Sequence, residues 1–166
     1  MKPADAYEDA VDLLDADHKS VKKLFIDFNA MCDDGAPAQA KQPVVEKICQ
    51  ALQVHAQIEE EIFYPAVRAG TGDQALIEEA EDEHAQIKEI VAQLQALDSS
   101  DAQYDDTVKT LGELVDAHVL EERERIFLEA RQSPADLRGL AVELYERKKT
   151  LMSASKKKPA KAKEAA

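Results

Sequence analysis

The sequence predicts an all-α protein: an up-down-up-down four-helix bundle with an additional short C-terminal helix and a disordered basic tail. Three observations carry this. Residues 9–131 show four long stretches with apolar positions three and four apart, the spacing of one helix face. The loops between them are short and hold turn residues, which favours antiparallel neighbours. Only five glycines and six prolines interrupt 166 residues, and the body is rich in Ala, Leu, Glu, Gln and Lys, all good helix formers.

The first helix is expected over about Asp9–Cys32, with Val11, Leu14, Val21, Phe25 and Phe28 on its inner row and His18 in the same row. Asp33-Asp34-Gly35 ends it, Gly35 suiting a left-handed cap. The second helix is expected from near Pro43, with the seam Val45, Ile48, Leu52, His55, Glu59, Ile62 and Ala66, and a kink or early end at Pro65. After Gly70-Thr71-Gly72, the third (about Asp73–Leu97) has the seam Ile77, Ala80, His84, Ile87, Val91 and Leu94. Asp98-Ser99-Ser100-Asp101 supplies capping side chains for the fourth (about Gln103–Arg131), whose seam is Tyr104, Val108, Leu111, Val115, His118, Glu122 and Ile126. Ser133-Pro134-Ala135-Asp136 starts a fifth helix with Leu137, Leu140, Ala141 and Leu144 on one side, ending near Leu151 and packing across one end of the bundle or along one groove.

Domain boundaries follow: a bundle over 1–152 and a Lys/Ala-rich tail over 153–166. The net charge of −13 is uneven, because the tail's five lysines and one glutamate leave −17 on the body. Such a body repels nucleic acid and anionic membrane, so neither is an expected partner. No run approaches membrane-spanning length, no leader-like apolar segment opens the chain, and Cys32 and Cys49 lie outside any metal or redox spacing. A cytoplasmic protein with two buried, reduced cysteines is expected, as a monomer or weak homodimer.

All four histidines fall on inner rows. Random placement on the two inward heptad positions would do this in roughly 1% of cases. His55 and Glu59, like His118 and Glu122, stand four residues apart, hence on one face of a helix. The chain also repeats. Asp15-Ala16-Asp17-His18 aligns with Glu81-Asp82-Glu83-His84 at an offset of 66, and His55/His118 with Glu59/Glu122 at 63. Two helical hairpins thus each bring one lone His and one His-x3-Glu pair.

Pooled in one core layer, four imidazoles and two carboxylates suit two metal ions, with Glu59 and Glu122 bridging. Imidazole favours iron, copper or zinc over magnesium or calcium. His18 with His55 on one ion and His84 with His118 on the other is the simplest grouping; a crossed grouping is equally allowed. Two glutamates buried without cations would be costly. Asp15 and Glu81, three residues before lone histidines, are expected as solvated acids, with orientation of an imidazole or direct ligation as alternatives. Tyr104 is expected as packing, and Tyr64, five residues after Glu59, should point away from the site.

These residues, with Asp12-Leu13-Leu14 before His18 and Glu60-Glu61-Ile62-Phe63-Tyr64-Pro65 after Glu59, resemble the hemerythrin-like (HHE cation-binding) family over about Asp9–Leu151. The resemblance implies a non-haem di-iron centre, oxo- or hydroxo-bridged, that meets dioxygen, hydrogen peroxide or nitric oxide. Oxygen-carrying hemerythrins have a second histidine four residues after the third-helix one, where this chain has Lys88, matched in its repeat by Lys22. Their fourth-helix carboxylate is an aspartate five residues after its histidine; here a glutamate comes four after His118. Fewer His ligands leave open positions on the metal. Binding or processing of dioxygen or peroxide, with catalase-like disproportionation included, is therefore expected ahead of oxygen carriage. The alternative is an oxygen, nitric oxide or iron sensor or store without turnover.

Overall fold

A computed structural model describes residues 2–157, and among these no strand occurs. A 3-10 turn (Ala4–Ala6) precedes α1 (Ala10–Asp33). Helix α2 (Ala38–Ile58), a π turn (Glu59–Phe63) and α3 (Tyr64–Thr71) form one continuous rod. After α4 (Gln74–Ala96), helix α5 (Tyr104–Glu121), a second π turn (Glu122–Ile126) and α6 (Phe127–Gln132) form another. Helix α7 (Leu137–Lys157) follows. Helix α1 packs on α2 and α5, and α4 packs on α5 and α2, so four rods close a ring.

Local chemistry sets the ends. Asp9 and Asp73 cap α1 and α4 by accepting from the amides of Asp12 (2.9 Å) and Leu76 (3.1 Å). Gly35, at φ 70°, closes α1 with the paired bonds Gly35 N–H to Cys32 O and Ala36 N–H to Met31 O, a Schellman end. Asp136 caps α7 through the amide of Gly139 (3.1 Å), and a Cβ on Gly139 would collide with the capping carboxylate.

Several expectations need correcting. Helix α2 begins at Ala38, five residues before Pro43, which sits inside it. Pro43 has no amide to give the carbonyl of Gln39 four residues back, and Gln39 is exposed, so that carbonyl is not sealed in the core. Pro65 does not end its rod. The π turn lets the Tyr64 amide bond Glu59 O, five residues back, and the helix runs on to Thr71. The turn also shifts the seam: Phe63, Tyr64 and Val67 are buried where Ile62 and Ala66 were expected. Helix α7 passes Leu151 and reaches Lys157, so Ser153–Lys157 is helical; the rest of the expected tail, 158–166, lies outside the described residues.

Helix α7 lies along α1, α2 and the first π turn, fully burying Leu144. The apolar core has two clusters, one around Leu14, Ile58, Phe63, Ile77, Ile126 and Leu144, the other around Phe25, Phe28, Ile48, Val91, Val108 and Leu111. The four histidines sit in chain order between them, and so form a buried polar layer. Among the described residues no helix is long and apolar enough to cross a membrane. Both cysteines are free thiols; Cys49 is buried, which pushes its pKa up to about 11, and Cys32 is half-buried.

Candidate metal centre

Each ring of the layer comes from one rod: His18 from α1, His55 from α2, His84 from α4 and His118 from α5. Glu59 and Glu122 open the two π turns and are 0% and 1% exposed. His18 Nε2 and His55 Nε2 stand 3.0 Å apart, His84 Nε2 and His118 Nε2 3.1 Å. Two clusters of donor atoms result, each within 4.8 Å: His18, His55, Glu59 and Glu122, and Glu59, His84, His118 and Glu122. All six residues singled out in the sequence meet here, the histidines grouped by hairpin and both glutamates common to the two clusters.

The outer ring nitrogens face acids. His55 Nδ1 lies 3.1 Å from Asp17 and His118 Nδ1 3.1 Å from Glu83, both hydrogen bonds. With those protons placed outward, the two Nε2 atoms present lone pairs inward. His18 Nδ1 stands 3.5 Å from Asp15 and His84 Nδ1 3.5 Å from Glu60, ion-pair contacts without hydrogen-bond alignment. Asp15 thus neighbours an imidazole while also accepting from Arg123 (2.5 Å). Glu81 instead pairs with Arg68 at 3.1 Å, away from His84, as a surface acid.

Without a cation this layer is poorly satisfied. Among the described residues neither oxygen of Glu59 has a hydrogen-bond partner, nor does Glu122 Oε1. Glu59 Oε1 lies 2.6 Å from His55 Nε2, yet out of hydrogen-bond alignment. A buried carboxylate with orphaned oxygens costs several kcal/mol unless a positive charge meets it. Protons are the substitute. Burial alone would lower the pKa of His118, but Glu122 and then Glu59 raise it to about 9. His55 is likewise raised well above its ordinary value against burial, by Glu59 and Asp17. Burial would raise Glu122, but His118 and His18 hold it well below the usual carboxylate range. The donor set fits divalent cations better: oxygen and imidazole ligands in a closed, mostly anionic pocket.

Tyr64 does not point away. Its hydroxyl donates to Glu122 Oε2 at 2.6 Å and lies 3.2 Å from His84 Nε2. The π turn is the cause, because a longer turn returns residue i+5 to the side of residue i. Burial and the adjacent Glu122 push the phenol well above 10, so it is the proton donor. Its repeat mate, Phe127, stacks on His18 at a ring separation of 5.6 Å. Asp17, Glu83, Glu60 and Tyr64 were not identified from sequence; the repeat held a signal for the first two, since both immediately precede a lone histidine. Tyr104 is buried in the far cluster, as expected.

A cavity of about 30 Å3 adjoins the four rings, walled by Val21, Leu52, Ala56, Ile87, Val115 and Val119.

Comparisons with known proteins bear on the fold and the family. A crystal structure of a hemerythrin HHE cation binding domain-containing protein from Mycobacterium kansasii superposes with a TM-score of 0.72, covering 89% of each chain at 22% identity, which speaks to the fold. A DNA nickase from Nostoc sp. is 32% identical over 124 residues, 74% of this chain, and the chain spans about a third of that relative's length (33%). The model of the hemerythrin HHE cation binding domain matches residues 9–130, and the chain belongs to that family.

Proposed function

We propose that this chain is a non-haem di-iron protein that binds or processes dioxygen or hydrogen peroxide. His18, His55, His84 and His118 would hold the ions, with Glu59 and Glu122 shared between them. The observation that carries this is the pair of buried glutamates with orphaned oxygens between two histidine pairs. Iron so bound supplies a redox couple for oxygen chemistry.

The chain's own residues favour small oxidants. A cavity of about 30 Å3 has room for a molecule the size of water, dioxygen or peroxide. Its aliphatic walls offer few polar partners, so charges in the buried layer act at low dielectric. Tyr64 holds a proton on its hydroxyl against Glu122 and fixes that carboxylate's orientation. DNA nicking is not proposed, because a net charge of −13 opposes approach to a polyanion.

Iron-loaded protein should contain two irons per chain and evolve oxygen from added peroxide, an activity lost in Glu59→Ala. Spectral response to dioxygen or nitric oxide with no peroxide turnover would move the reading to a sensor or store. Failure to bind iron would remove it.

A further inference from the structure

The internal repeat covers α1 to α3 and α4 to α6, and α7 has no mate. Helix α7 nevertheless touches the metal layer. Lys148 Nζ donates to Asp17 Oδ1, while Asp17 Oδ2 accepts from His55 Nδ1 at 3.1 Å. In the other half, Glu83 Oε1 accepts from His118 Nδ1 at the same 3.1 Å, and among the described residues no lysine or arginine pairs with Glu83. The remaining outer acids both carry cations: Asp15 pairs with Arg123 and, at 3.5 Å, with the exposed Lys19, and Glu60 pairs with Lys88. The halves thus differ in Tyr64 against Phe127 on the inner side of the layer and, on its outer side, in the cation that α7 brings to Asp17 and that Glu83 lacks.

Building on the two-ion reading above, we propose that Lys148 makes the two ion positions unequal, the ion at His84 and His118 being bound more tightly than the ion at His18 and His55. A carboxylate on the outer N–H of an imidazole raises its strength as a metal donor. Glu83, half-buried and with no lysine or arginine beside it among the described residues, does so for His118. Lys148 draws the Asp17 charge outward and adds its own positive charge, so His55 is the weaker donor and its ion the more repelled. Asp17 is buried, so this pairing is poorly screened by water. Lys148 is therefore a positioning residue that acts through Asp17, and α7 sets a filling order: the His84/His118 position first, the His18/His55 position second.

The test is a stepwise titration of metal-free full-length protein with Co2+, followed by calorimetry and visible absorption. Wild type should show two steps of different affinity. Lys148→Met keeps the aliphatic stem and removes the charge; it should tighten the weaker step about tenfold and leave the tighter one in place. Lys148→Arg should restore the wild-type gap. Glu83→Gln should weaken the tighter step by about 10–100-fold, more than Asp17→Asn weakens the other. Melting curves of the metal-free variants check that each folds. Two steps of equal affinity in wild type, or a gap unchanged in a folded Lys148→Met, overturns the proposal alone. Binding of a single Co2+ overturns the two-ion reading with it.

Discussion

At the scale of single residues, Tyr64 and His118 make the sharpest predictions. Tyr64→Phe makes the first half resemble the second, where Phe127 stands, and leaves Glu122 Oε2 without its 2.6 Å donor. Metal-free protein should lose about 1–3 kcal/mol in a urea titration, while still binding two ions; unchanged stability would show that the bond contributes nothing. His118 predicts a pH dependence. Its pKa rises from 6.5 to about 9 in the folded chain, so its contribution is complete below 6.5 and disappears as pH climbs through about 9. Glu122 is lowered from 4.5, so its contribution is complete above 4.5 and is lost as pH falls further. Metal-free protein should therefore be most stable between 4.5 and 6.5, with a urea midpoint that drops from pH 7 to 9.5; a flat midpoint would contradict this. The six inward ligand candidates were legible in the sequence, because inner-row position and repetition mark them. Tyr64 was not. A five-residue spacing reads as the wrong side of an α-helix, and only the longer turn at Glu59 reverses that.

At the scale of elements, the starts at Asp9, Asp73 and Asp136 were the most legible, and the proline positions the least. The cap expected from Asp98-Ser99-Ser100-Asp101 does not form: α5 starts after Gln103 with no side-chain cap, and Asp101 accepts from the Gln103 amide instead. Asp9, Asp73 and Asp136 act as caps because a short acid before an apolar period has one favourable use. Pro43 misled because a proline within the first turns can mark a start or merely be tolerated beside an exposed carbonyl. The second π turn shows that Pro65 is not what widens the first, since Leu128 occupies the matching place. Both turns begin at the buried glutamate, so they belong to the site. Helix α7 was expected across an end or along a groove, and burial of Leu144 against α1 and α2 selects the groove. Leu144→Ala should destabilise the protein by about 2–5 kcal/mol in chemical denaturation. A loss under 1 kcal/mol would mean that α7 is only loosely docked.

At the scale of the whole molecule, the ions are expected to act as part of the core. Metal at a hundred times its dissociation constant adds about 2.7 kcal/mol to a fold that binds it only when folded. Chelation should thus lower the melting temperature, and an unchanged temperature would deny the ions a structural role. The bundle itself was legible because periodicity, short loops and the repeat agree, whereas the length of α7 was not, since its lysine-rich end carries little apolar pattern. The polar layer between the two apolar clusters has a further consequence for how the molecule opens. Oily cores on either side of a charged sheet share few contacts across it, so the metal-free chain has a plane of weakness at mid-height. Its amides should exchange with solvent in two blocks of different rate, one for each cluster. Ions gripped from all four rods would act as rivets through that plane, merging the blocks into one opening event.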